Sequence, residues 1–126
     1  MKKVIQTEKA PAAIGPYSQA IEASGTLYIS GQLPVDPETG KIVEGGIEAQ
    51  TEMVLKNIGA ILQSAGMGYE NVVKSTVLLA DIRDFTRMNE IYKTFYTDNP
   101  PARAAFQVAA LPLGAMIEIE TIAVRL

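Results

Sequence analysis

The chain has 126 residues, 48% of them hydrophobic, a net charge of −3 and no cysteine, histidine or tryptophan, which suits one domain with an aliphatic core. The missing residue types exclude a thiol nucleophile, a disulfide, a serine–histidine triad and zinc sites built on Cys or His, and the acidic balance opposes a broad nucleic-acid footprint. With no long apolar run and no signal-peptide pattern, the expectation is a cytoplasmic protein with no membrane or nucleic-acid partner, whose chemistry uses carboxylate, arginine and backbone groups and no cofactor or metal.

Lys3 to Gln6 read as a short strand, after which Pro11, Gly15 and Pro16 impose a stiff irregular loop that carries Tyr17. Ser18 to Glu22 and Thr26 to Ser30 are strand-like on either side of a Ser24-Gly25 turn, and Asp36-Pro37-Glu38-Thr39-Gly40 is a second turn. From Gly46 the hydrophobic period lengthens to that of a helix, with Val54, Leu55, Ile58, Ile61, Leu62 and Ala65 on one face, ending near Gly66. Asn71 to Ala80 is rich in valine and leucine, as a buried central strand would be. Asp81 or Asp84 can cap a second helix, whose Met88, Ile91, Tyr92 and Phe95 recur at helical spacing until Asn99-Pro100-Pro101 stops it. Ala104 to Ala110 and Ala115 to Arg125 are the last strands. The order predicts a single α+β domain spanning residues 1–126, with six strands and two helices packed on one face of the sheet.

One arginine and two glutamates interrupt apolar sequence, in Pro100-Pro101-Ala102-Arg103 and Ile117-Glu118-Ile119-Glu120. Charge in such surroundings is costly unless paired or used. Alternation puts Glu118 and Glu120 on one face of the final strand, and Arg103, Ala105 and Gln107 on one face of the strand before it. If these strands form a hairpin around Leu111-Pro112-Leu113-Gly114, Ala105 lies opposite Glu120 and Arg103 lies diagonally nearer Glu120. That register supports a structural Arg103–Glu120 ion pair, whose loss would leave Arg103 unpaired. The same groups also fit a guanidinium fork for a small carboxylate beside a carboxylate that moves a proton.

Ala13-Ile14-Gly15-Pro16-Tyr17-Ser18-Gln19-Ala20, Tyr28-Ile29-Ser30-Gly31-Gln32, Pro100-Pro101-Ala102-Arg103, and Ile117-Glu118-Ile119-Glu120 with Ile122-Ala123-Val124 run nearly end to end along the chain, and together they resemble the Rid (RidA/YjgF) family of reactive-intermediate imine deaminases. The resemblance implies a chorismate-mutase-like α+β fold with a mixed six-stranded sheet, assembled as a homotrimer with clefts between subunits, and a final strand inserted between earlier ones. It implies hydrolysis of 2-aminoacrylate and 2-aminocrotonate, through their 2-imino acid tautomers, to 2-oxo acids and ammonium. In that reading Arg103 holds the substrate carboxylate and Glu118 activates water, with Glu120 in support. Tyr17, Ser30, Gly31 and Asn89 complete the cleft, and position 105 contributes a backbone N–H. Ala105 stands where many relatives carry cysteine, and Ala104 where many carry serine, so no thiol role survives here. A chaperone-like holdase or metabolite-binding protein is the alternative, with endoribonuclease third.

Overall fold

The last segment decides the architecture of the computed structural model, which describes residues 1–126. Its strand β6 (Ile117–Val124) is not an edge partner of its predecessor, because it is hydrogen-bonded on both sides. The other elements are β1 (Lys3–Ile5), β2 (Ala20–Ala23), β3 (Thr26–Gln32), α1 (Ile47–Ser64), β4 (Val72–Leu79), α2 (Phe85–Phe95) and β5 (Ala102–Gln107). The strands form one sheet in the order β1-β2-β3-β6-β4-β5. All neighbours are antiparallel except β4 and β5, which run parallel.

The expected hairpin of the last two strands is therefore absent. β5 pairs with β4, in the register Ser75↔Arg103, Val77↔Ala105 and Leu79↔Gln107, while β6 pairs with β3 and β4. Ala105 faces Val77 rather than Glu120. The cause is topological: β4, α2 and β5 form a strand–helix–strand crossover, which brings β5 back parallel to β4 at the sheet edge. Insertion of the final strand between earlier ones is as the family resemblance implies.

Both helices cover one face of the sheet. Ile117, Ile119, Thr121 and Ala123 on β6, Val77 and Leu79 on β4 and Ile29 on β3 are buried there against Val54, Leu55, Ile58, Ile61 and Leu62 of α1. The apolar stripe read from the sequence is that helix face, and α1 closes at Ala65 before Gly66, whose φ of 73° suits a left-handed exit. Asp81 caps the short 3₁₀ turn that leads into α2, accepting from the Arg83 backbone N–H at 2.9 Å, whereas the Asp84 side chain caps nothing. The opposite face of the sheet is uncovered, with Tyr28 and Phe106 about half exposed. No helix is long and apolar enough to cross a membrane.

The loop before β2 is irregular, so its backbone groups need partners other than a ladder. Gln19, 4% exposed, supplies them: its Oε1 accepts from the Thr7 N–H at 2.8 Å, and its Nε2 donates toward the carbonyls of Pro11 (2.7 Å), Thr7 (3.0 Å) and Ala10 (3.3 Å). The clamp holds the loop on which Tyr17 stands. Gln19→Leu keeps the bulk but orphans those groups, and should lower stability by about 2 kcal/mol. Urea unfolding measures this as a lower midpoint at constant m-value, and an unchanged midpoint would show that water replaces the clamp without loss.

Candidate active site

Two groups of the singled-out residues lie in different places. The first surrounds Glu118. β3 and β6 keep register at Ile29↔Thr121 and again at Gln32↔Ile119, so Ser30 and Gly31 together oppose the single residue Glu120 in a β-bulge. The bulge turns the Gly31 Cα toward the Glu118 carboxylate so closely that an added Cβ would collide with Glu118 Oε2. Glycine is required here for approach, since its φ is not in the left-handed region. The Ser30 hydroxyl donates to the Ser18 carbonyl at 2.6 Å, and its N–H donates to the Gln19 carbonyl at 3.0 Å, tying the bulge to the Tyr17 loop. Tyr17 is about half exposed, its hydroxyl accepting from the Ile14 N–H at 3.4 Å. Ile14, Tyr17, Gly31, Gln32 and Leu113 line one cavity of about 310 Å³.

Glu118 is half-buried, in a cross-strand row with Leu78 and Phe106. Burial first, and the neighbouring Glu120 charge second, push its carboxyl above the ordinary range, with no hydrogen bond to offset them. A carboxyl tuned upward takes a proton more readily than an ordinary glutamate and can return it.

The second group surrounds Arg103 on β5. The guanidinium Nη1 donates to Asn89 Oδ1 at 2.7 Å, and its Cζ lies 4.8 Å from the Tyr92 ring centroid and 5.4 Å from that of Phe85. Phe85, Asn89 and Tyr92 follow one another at helical spacing, so α2 presents a single stripe to the arginine. No carboxylate pairs with Arg103. One donor is used on Asn89, and the rest of the fork remains for a ligand in a cavity of about 480 Å³ lined by Asn89, Tyr92, Tyr96, Pro100, Pro101 and Arg103 among others. Ala105, two residues on, shares the face of Arg103 and packs against the core. No three acidic side chains converge in a way that would hold a metal ion.

The register separates these groups. Arg103 is in line with Ser75 and Thr121 on the helix-covered face, whereas Glu118 and Glu120 project from the open face, in line with Leu78 and Thr76. The Arg103–Glu120 ion pair expected from the hairpin does not exist, and Glu120 is exposed. Arg103 and Glu118 of one chain cannot reach the same small molecule. Tyr92 was missed as a site residue because an aromatic ring at helical spacing reads as core, and Phe85, at the start of the helix, was not singled out. Their spacing to Asn89 is the signal that marks them.

The chain belongs to the endoribonuclease L-PSP family, whose model matches residues 7–125. A mouse 2-iminobutanoate/2-iminopropanoate deaminase is 58% identical over 99% of this chain and 93% of its own length. Among solved structures, a Rid-family protein from Yersinia pestis superposes with a TM-score of 0.95 at 48% identity, covering 99% of this chain and 100% of that one. Escherichia coli TdcF, solved with bound serine, superposes with a TM-score of 0.94 at 41% identity, covering 98% of this chain and 99% of that one.

A carboxyl with a raised pKa in the folded state makes a testable demand on stability. In the unfolded chain Glu118 ionises at its ordinary value, so the penalty for burying its charge is absent below that value. The penalty grows as pH rises toward the folded pKa and is full above it. Glu118→Gln should therefore melt above the wild type at pH 7, with the difference vanishing near pH 4. Thermal melts across that range check it, and a variant that melts lower at pH 7 would mean that the folded protein stabilises the charge.

Proposed function

We propose that the protein is a cofactor-free imine deaminase, hydrolysing the 2-imino acid tautomers of 2-aminoacrylate and 2-aminocrotonate to 2-oxo acids and ammonium. The observation that carries this is that one chain offers, on opposite faces of its sheet, an Arg103 guanidinium with no carboxylate partner and a Glu118 carboxyl that lacks any donor and is tuned upward. The names of the relatives and the serine bound to one of them point the same way.

Arg103 would receive the substrate carboxylate two-pronged, with Asn89 holding the guanidinium. Glu118 would orient a water and accept its proton as the oxygen attacks C2 of the N-protonated imine, forming a neutral carbinolamine. Returning that proton to nitrogen makes ammonia the leaving group, and as C2 becomes the carbonyl of the 2-oxo acid the carbinolamine hydroxyl gives its proton to Glu118, from which it leaves with ammonia as ammonium. Glu120 supports by raising the Glu118 pKa. Tyr17 would offer its hydroxyl, Ser30, whose own proton is given to the Ser18 carbonyl, would serve as an acceptor, Gly31 would allow close backbone approach, and Ala105, on an edge strand, would offer a backbone N–H. Imines already hydrolyse in water, so orientation and one proton shuttle are enough catalytic equipment.

Because Arg103 and Glu118 leave opposite faces of the sheet, a complete site needs two chains. We infer a homotrimer with a cleft between neighbours. The half-exposed Tyr28 and Phe106, on a sheet face that no helix covers, are apolar surface that such an assembly would bury.

In a coupled assay with a threonine dehydratase and semicarbazide competing for the imine, the protein should accelerate 2-oxobutanoate formation in proportion to its concentration. Arg103→Lys keeps the charge but loses the planar fork, and should lower kcat/KM by about a hundredfold. A near wild-type value would remove Arg103 as the anchor. Glu118→Gln should lower kcat by a similar factor. Glu120→Gln should cost little stability, since Arg103 does not depend on it.

Assembly has its own test. Arg103→Lys and Glu118→Gln chains, each nearly inactive, should regain activity when dissociated and reassembled together, because some clefts then receive both wild-type halves. No recovery despite mass-spectrometric proof of mixed oligomers would return the site to a single chain.

A further inference from the structure

Behind Arg103 lies a feature that the reaction just described does not use. In the row Arg103–Ser75–Thr121, across β5, β4 and β6, Ser75 is fully buried and Thr121 1% exposed. Over this row stand Tyr92 and Tyr96, each 6% exposed, with ring centroids 4.7 Å apart. The Ser75 hydroxyl lies beside both phenols. It has a single proton to share, and none of the four hydroxyls reaches a partner in full hydrogen-bonding geometry.

Buried hydroxyls left in this state are costly, and a cluster of four calls for an explanation. Its position supplies one. The Tyr92 ring that faces the cluster with its hydroxyl also carries the Arg103 guanidinium, 4.8 Å from its centroid. On its other side the ring packs on Tyr96, with the Ser75 hydroxyl beside its phenol, so the surface that bears the guanidinium is backed by an aromatic and a polar contact.

We propose that Tyr92 is a positioning residue for Arg103, its ring set against the guanidinium by packing on Tyr96 and by the polar Ser75 hydroxyl beside its phenol. The proposal rests on the reading of Arg103 as the carboxylate anchor. Its consequence is on binding rather than chemistry: a displaced fork loses grip on the carboxylate equally in the ground and transition states, so KM rises while kcat holds.

The experiment compares Tyr92→Leu, Tyr92→Phe and Ser75→Ala with the wild type, using 2-iminobutanoate generated in situ for kinetics and 2-oxobutanoate as an equilibrium ligand in calorimetry. Tyr92→Leu should raise KM and weaken 2-oxobutanoate binding by about tenfold, with kcat changed less than about twofold. Tyr92→Phe, which restores the ring, should recover most of that loss. Ser75→Ala removes the polar neighbour of the Tyr92 phenol while leaving the aromatic contact in place, and should raise KM about threefold with kcat unchanged. Unchanged affinity in Ser75→Ala would make the cluster a mere imperfection of the core and overturn the proposal, as would a kcat loss at constant KM in Tyr92→Leu. If Tyr92→Leu does not fold, Ser75→Ala and Tyr92→Phe decide. Arg103→Lys serves as the control: if it too keeps full affinity, the anchor reading itself fails, whereas its loss beside an unaffected Ser75→Ala sinks only the role given to Tyr92.

Discussion

β6 has neighbours on both sides, so each of its residues must satisfy one of two faces and none can turn away. Ile117, Ile119, Thr121 and Ala123 are at most 1% exposed beneath the helices, and Glu118 and Glu120 fill the alternate positions. A slip of one residue would drive both carboxylates into an aliphatic core. The hydrophobic pattern of one strand thus fixes the register of the sheet centre and, as a by-product, aims the two glutamates. The bulge at Ser30 and Gly31 depends on that register, because it forms where β3 accommodates Glu120.

Much of the secondary structure was legible because it is local. Helical spacing in α1 and α2 and the valine-rich run of β4 needed only their own residues, and the Ser24-Gly25 turn is visible as a hairpin in which both residues take positive φ, 51° and 79°. The pairing of β5 was not. Adjacent strands invite a hairpin, and residue types alone do not say that β5 prefers a partner on the far side of α2. A cue was nonetheless present, since a strand, an eleven-residue helix and a strand in succession is the pattern of a parallel crossover. Family resemblance supplied the correct insertion of β6 where local reasoning did not.

The site was legible to the extent that charge in apolar sequence is conspicuous. Arg103 and Glu118 stood out, but their partners did not, because the wrong strand pairing placed Glu120 beside Arg103. Tyr17, Ser30, Gly31 and Asn89 are ordinary residue types in ordinary positions, and only the motifs marked them. The structure gives two of them a physical reason: Gly31 lies where a methyl would strike Glu118, and Asn89 holds the arginine. Periodicity cannot tell a ring that packs on leucine from one that packs on a guanidinium, which is why Tyr92 passed as part of an apolar stripe.

The placement of Arg103 and Glu118 on opposite faces has a consequence for how such a protein can change. Side chains around the arginine belong to the packed layer under α2, and those around the glutamate to the open layer, with only the sheet between them. Substitutions in the two layers share few neighbours within a chain, so their effects on stability should add with little interference. With Arg103 as the proposed anchor of the anion and Glu118 as the proposed proton carrier, the two tasks are free to drift separately. A lineage could broaden or narrow the molecules it accepts through the helical layer while its hydrolytic layer stays as it was.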